Sequence, residues 1–216
     1  MRVLSVLVLV LASVGLAVPA QAAHGTSIAR VRAMPLGSVV TVEGTATTPS
    51  GAFESSFFDK GFAVQDRSAG IYVSVPVDLG VAPRARVRVT GVLRDSFGLL
   101  ILVPADPGAV RVHGTGATIH PRRVVTGAVS ERTEGLLVRV TARITRAPES
   151  DLPYGHKFYL DDGTGELTIF VNTQTGIDLA GLTVGRRVTV TGFSSQFDTH
   201  YEIDPRFPAD VRVSTR

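Results

Sequence analysis

Phe158-Tyr159-Leu160-Asp161-Asp162-Gly163-Thr164-Gly165-Glu166-Leu167-Thr168-Ile169-Phe170-Val171 reads as two short strands around a tight turn. Apolar and polar residues alternate on either side of Asp161-Asp162-Gly163-Thr164-Gly165, whose residues suit turn geometry. The same phrase occurs earlier, as Phe62-Ala63-Val64-Gln65-Asp66 followed by Arg67-Ser68-Ala69-Gly70 and Ile71-Tyr72-Val73. Two further echoes follow. Arg86-Val87-Arg88-Val89-Thr90-Gly91 returns as Arg187-Val188-Thr189-Val190-Thr191-Gly192, and Ala109-Val110-Arg111-Val112 returns, one residue displaced, near Asp210-Val211-Arg212-Val213. A period of roughly 100 residues is domain-sized rather than solenoid-sized. One small β module is used twice.

Around the first hairpin, Val40, Val42, Gly44 and Ala46 alternate with Val39, Thr41, Glu43 and Thr45, which predicts a half-buried first strand with a bend at its small residues. Residues 84–93 form a fourth strand with Val87 and Val89 inward, residues 99–103 a fifth, and residues 109–112 a terminal strand. Thr26 and Ser27 are set to cap a short helix over residues 28–34. The second module repeats the order with strands at 136–146, 157–160, 166–171, 187–193 and 201–203; Val138, Val140, Ala142 and Ile144 point inward. Five strands with a long first strand and a connector before the fourth match the five-stranded Greek-key barrel called the OB-fold. A two-sheet sandwich needs about seven strands per 100 residues. The expected class is therefore all-β, two consecutive five-stranded Greek-key OB-fold barrels with short helical connectors. Their bounds are 26–113 and 133–216, joined by the segment 114–132.

Residues 1–22 read differently. Arg2, an apolar run from Val3 to Val18 and the small-x-small pattern Ala20-Gln21-Ala22 predict an export signal cleaved before Ala23, and hence a secreted bacterial protein. A membrane anchor needs about 20 apolar residues, more than this run has, and no second long run follows, so no membrane insertion is expected after cleavage. The chain has no cysteine, which excludes disulfides and thiolate chemistry. Each module of about 90 residues must then be held by its own core. Residues 27–113 carry nine basic and seven acidic side chains, and residues 114–216 twelve of each. Such a balanced surface does not imply DNA binding by bulk charge.

Phe158-Tyr159-Leu160-Asp161-Asp162-Gly163-Thr164-Gly165 resembles the aromatic-x-apolar-x-Asp-x-Thr-Gly hairpin of OB-folds in tRNA-anticodon and single-strand-binding proteins. Phe62 to Gly70 is a weaker copy, with Ser68-Ala69 in place of Thr-Gly. Glu134-Gly135-Leu136-Leu137-Val138-Arg139-Val140 and Pro205-Arg206-Phe207-Pro208-Ala209-Asp210-Val211 look like the tandem OB modules of secreted bacterial proteins, which are often appended to extracellular nucleases or phosphoesterases. The resemblance covers nearly all the chain after residue 22. It implies a binding face on strands two and three, framed by the β1–β2 and β4–β5 loops, and catalysis carried by some other domain.

Single strands are held on such a face by aromatic stacking plus scattered cations. Alternation turns Tyr72, Tyr159 and Phe170 outward, with Arg88, Arg139 and Arg143 on neighbouring strands. The loops add Phe53, Phe57, Phe58 and Lys60 in module one, and Gln196, Phe197, Asp198 and His200 in module two. The ligand-binding candidates are thus Tyr72, Arg88, Arg139, Arg143, Tyr159, Phe170, Phe197 and His200. The competing account makes the outward aromatics filling between modules and the arginines strand-edge protection. No nucleophile elbow, phosphate-cradling glycine loop or His-Glu metal pair occurs, and the acidic turn lacks the spacing of a calcium loop. The expectation is a monomeric, non-catalytic protein without metal or cofactor. It binds single-stranded nucleic acid or a similar anionic polymer; the alternatives are an envelope protein or glycan partner, or an accessory role beside a separate nuclease.

Overall fold

The computed structural model describes residues 26–53 and 59–214. The segment read as an export signal and the loop aromatics Phe57 and Phe58 lie outside the described residues. In the first half, α1 (Ile28–Arg32) precedes β1 (Val39–Ala46), β2 (Phe62–Gln65), β3 (Gly70–Val73), β4 (Ala85–Ser96), β5 (Leu99–Val103) and β6 (Val110–Thr115). The second half holds β7 (Arg122–Arg123), β8 (Leu137–Asp151), β9 (Gly155–Asp161), β10 (Leu167–Asn172), β11 (Arg187–Phe197), β12 (His200–Asp204) and β13 (Val211–Val213).

The expected pair of five-stranded barrels is corrected here. Among the described residues the strands form two mixed sheets, one of six strands in the order β1-β2-β3-β5-β4-β6 and one of seven in the order β13-β11-β12-β10-β9-β8-β7. Three features account for the difference. The terminal segments β6 and β13 add to β4 and β11, the joining segment contributes β7 beside β8, and β3–β5 and β10–β12 run parallel. β1 pairs with β4 from Val39↔Val92 to Thr45↔Arg86, and its last residues pair with β2. A Cβ at Gly44 would lie 2.7 Å from Val64 Cγ1 and 2.8 Å from the Gln65 carbonyl, so β1 passes from β4 onto β2 where only glycine fits.

Inward alternation places Val42, Val64, Ile71, Val87 and Val89 in one core, and Val140, Phe158, Leu160, Ile169 and Val190 in the other. Strand lengths exceed expectation at β8, which runs to Asp151, and at β11, which runs to Phe197. The helix cap also differs. Ser27 makes no side-chain cap. Instead Asp66, in the β2–β3 turn, accepts the Ile28 N–H at 2.9 Å, and Ser68 Oγ accepts that of Ala29 at 3.0 Å. The second module repeats the device: Asp162 accepts the Thr126 N–H at 3.1 Å, at the start of the single turn Thr126–Ala128. Burial pushes the Asp66 carboxyl up, but hydrogen bonds from Ser68, Ile28 and Ala69 outweigh it and hold it low. Asp162 is held low chiefly by the Thr164 hydroxyl. The Asp of the repeated hairpin motif therefore ties turn to preceding helical turn.

The two sheets meet along a polar and an apolar seam. Arg32 donates to Glu131 at 2.6 Å and to Glu134 at 2.9 Å. Glu134 also accepts the Leu100 N–H at 3.2 Å, Gln65 accepts that of Leu137 at 3.0 Å, and Arg206 donates to the Thr47 carbonyl at 2.7 Å. Burial raises the Glu134 carboxyl against the pull of Arg32. The apolar seam gathers Ala63, Tyr72, Leu99 and Ile101 from the outer face of the first sheet, with Phe53, under Phe193 of β11.

Candidate ligand-binding cavity

Outward alternation on the second sheet converges on one place. From β11 it presents Phe193, Ser195 and Phe197; from β12, His200, Glu202 and Asp204; from β10, Phe170 and Asn172; and from β9, Lys157. All of these line a cavity of about 440 Å³ between the sheets, within the usual range of about 300–1,000 Å³ for small-molecule sites. The first sheet closes one end with Phe53, Tyr72 and Leu99 and one side with Ser96 and Phe97.

The rim is aromatic. Phe97 and Phe197 stack with centroids 5.6 Å apart and planes at 20°, and His200 meets Phe197 edge-on at 6.0 Å. Both phenyl rings are about half exposed. They sit on the tips of the β4–β5 and β11–β12 hairpins, which are joined by the Asp198 N–H donating to the Phe97 carbonyl at 2.7 Å. Tight hairpin turns need left-handed residues, and Gly98 (φ +92°) and Asp198 (φ +53°) are ordinary there. Phe97 at φ +51° is not, since a bulky side chain in that region costs of order 1–3 kcal/mol.

The floor is acidic. Glu202 and Asp204 are 7% and 6% exposed. His200 Nε2 lies 3.4 Å from Glu202, and this contact raises the imidazole above its usual range. Asp204 Oδ1 is buried with no hydrogen-bond partner. Burial, then the neighbouring Glu202 charge, push the Asp204 carboxyl well above its ordinary range, with Ser195 pulling weakly the other way. Among the described residues no group of three His, Cys, Asp or Glu side chains is placed to hold a metal ion.

The structure divides the sequence-derived candidates into four groups. Phe170, Phe197 and His200 line the cavity together. Tyr72, expected to face outward to a ligand, is 1% exposed, because Phe193 packs on its ring at 5.8 Å and its hydroxyl donates to Asp59 at 2.9 Å. Tyr159 does face outward on β9 but does not line the cavity; Arg146 lies 3.2 Å over its ring, and its hydroxyl donates to Glu149 at 2.8 Å. The arginines do not join the aromatics. Arg88 lies 3.8 Å from Glu43, Arg139 donates to Thr191 at 2.8 Å, and Arg143 donates to the Gly185 carbonyl at 2.8 Å. The stacking surface with guanidinium partners is therefore not assembled; the cation at the cavity is Lys157. Sequence reasoning missed Lys157, Asn172, Glu202 and Asp204. The alternation His200-Tyr201-Glu202-Ile203-Asp204 carried the signal for the acidic pair.

No family model matches the chain. Over 188 residues, 82% of this chain, it is 24% identical to endonuclease YhcR of Bacillus subtilis strain 168, and that match spans 15% of the length of YhcR. A murine DNA-binding protein bound to double-stranded DNA overlays with a TM-score of 0.41 at 12% identity, over 82% of this chain and 97% of that one. A replication protein A heterotrimer bound to single-stranded DNA overlays with a TM-score of 0.35 at 10% identity, over 86% of this chain and 51% of that one. At such TM-scores neither overlay carries a functional argument. Among the described residues no helix is long and apolar enough to cross a membrane.

Proposed function

We propose that this protein binds single-stranded nucleic acid without catalysis, taking an unstacked base into the cavity between its two sheets. The observation that carries this reading is the half-exposed Phe97–Phe197 stack at the mouth of a cavity of about 440 Å³, roomy enough for a base, that Phe170 also lines. Bases of any sequence stack on such rings, and a duplex cannot offer them. The strained backbone of Phe97 supports the reading, because strain of this kind gathers at ligand clamps. Likeness to a short stretch of an endonuclease fits a module that accompanies nucleic-acid chemistry.

Charge constrains the pose. The cavity presents Asp151, Glu202 and Asp204 against Lys157 and His200. Phosphates therefore stay at the rim near Lys157 while the base goes inward. Fluorescence anisotropy of labelled single-stranded DNA and RNA tests this, with Phe170→Ala and Phe197→Ala as variants. Each substitution is expected to weaken binding by about fivefold to 150-fold, the worth of one base–aromatic stack. Unchanged affinity in both variants would sink the site.

A second reading has its own observation. The same acidic floor, with Asn172 and Gln196, could accept the hydroxyls of a neutral glycan stacked on Phe170. Retention on immobilised oligosaccharide, with no oligonucleotide binding at low salt, would favour it.

A further inference from the structure

We infer that Glu202 and Asp204 make the cavity a guanine-selective base pocket, an inference that rests on the single-strand reading above. The acidic pair projects from alternate positions of β12 onto the cavity side, and Asp204 Oδ1 is buried without a hydrogen-bond partner. A buried acceptor left unpaired costs about 1–3 kcal/mol, and a ligand donor that satisfies it recovers part of that cost. The floor is thus built to receive donors.

The four bases differ in what they bring. Guanine carries two adjacent donors, N1–H and the N2 amino group, on its Watson–Crick edge. Adenine and cytosine each bring a single amino group there, next to a ring-nitrogen acceptor. Thymine and uracil bring one N3–H between two carbonyl oxygens, which the acceptor oxygens of the floor repel. Only guanine matches a paired-acceptor floor without placing an acceptor against it. Asn172 flanks the pair from β10, and Phe170, two residues before it on the same face, supplies a ring for the base plane. Lys157 pairs with Phe170 across the β9–β10 ladder and lines the same cavity, where it can meet a phosphate.

The test uses the whole protein and fluorescein-labelled oligo-dT dodecamers with a single central dG, dA or dC, against the all-dT parent. The dG oligomer is expected to bind about fivefold to 150-fold tighter than the other three, the discrimination typical of one bidentate base contact. Asp204→Asn and Glu202→Gln, each nearly isosteric, are expected to draw the dG-to-dT ratio toward one, because each turns an acceptor into a partial donor. If all four oligomers bind alike, the guanine assignment is overturned while the single-strand reading stands. If none binds, the single-strand reading itself fails. If the dG preference appears but survives both variants, the acceptors have been placed wrongly and the assignment to β12 is overturned.

Discussion

The outer faces of the two sheets are built on one plan and used in opposite ways. The hairpin-closing pairs Ser96↔Leu99 and Phe197↔His200 set the correspondence between β5 and β12. Leu99, Ile101 and Val103 of the first sheet stand where the second has His200, Glu202 and Asp204. Ala63 stands where Tyr159 does, and Tyr72 where Thr168 does, each pair facing across its own hairpin. The first set is apolar and packed under Phe193, with Tyr72 satisfied by Asp59. The second is polar and charged, and its β12 members His200, Glu202 and Asp204 line an open cavity with Phe170. Inward positions of the two copies hold the same kinds of residue, so the divergence is confined to the face that alternation leaves free. One copy's outer face has become a cover and the other's lines a cavity.

Phe193 is where the comparison breaks most easily, since it is the residue of the second sheet that seals the first. Phe193→Ala removes a 1% exposed ring stacked on Phe53 at 6.0 Å and packed at a tilt on Tyr72 at 5.8 Å. A loss of about 3–5 kcal/mol is expected in chemical denaturation. Phe170→Ala, on the open face of the second sheet, is expected to cost no more than about 1 kcal/mol. Equal losses at the two positions would mean that both faces are structural.

The next effect runs in the opposite direction. Asp204→Asn is expected to stabilise the protein at pH 8 by about 1–3 kcal/mol, the cost of an unsatisfied buried polar group. The carboxyl is raised in the folded state, so the fold binds more protons than the unfolded chain. Its contribution is fully present below the ordinary aspartate range and is lost as pH rises through the raised value. Melting temperatures of wild type and variant should therefore converge near pH 4 and part as pH increases. Glu202, His200, Lys157 and Asp151 face the same cavity and are unchanged in both proteins, so the difference isolates Asp204. Parallel curves would mean that Asp204 is an ordinary surface carboxylate.

The repeat, the hairpins and both cores were legible because they depend on local alternation: Val87, Val89, Val138 and Val140 sit inward as period two requires. The added strands were unevenly legible. The terminal strand over 109–112 corresponds to β6 and its echo to β13, but their places beside β4 and β11 depend on pairing across the sheet, and β7 is two residues long and exists only because β8 offers it an edge. Phe170, Phe197 and His200, which line the cavity, were singled out by alternation and loop position. Tyr72 obeys the same alternation, yet nothing local says that Phe193, 121 positions later, will cover it. The arginines misled for a related reason. They do lie on outward faces, but Arg139 and Arg143 are opposite β11 rather than beside the aromatics.

The smallest expected effect discriminates most finely between a base pocket and a phosphate groove. A protein that grips a single strand by its backbone loses affinity with salt at a slope of about −0.7 per phosphate neutralised. The open face offers Lys157 at its mouth, with its ammonium 3.8 Å from Asp151, and three carboxylates inside. Binding should therefore show a shallow slope, near that of one or two contacts. Lys157→Ala should flatten it by about 0.7 while weakening binding little at moderate salt, because stacking on Phe170 and Phe197 is insensitive to counterions. Anisotropy titrations of the all-dT oligomer at a series of salt concentrations measure both quantities. A steep slope that Lys157→Ala leaves intact would move the strand off the second sheet's open face and onto arginines elsewhere, and the division between cover and site would no longer describe where the ligand goes.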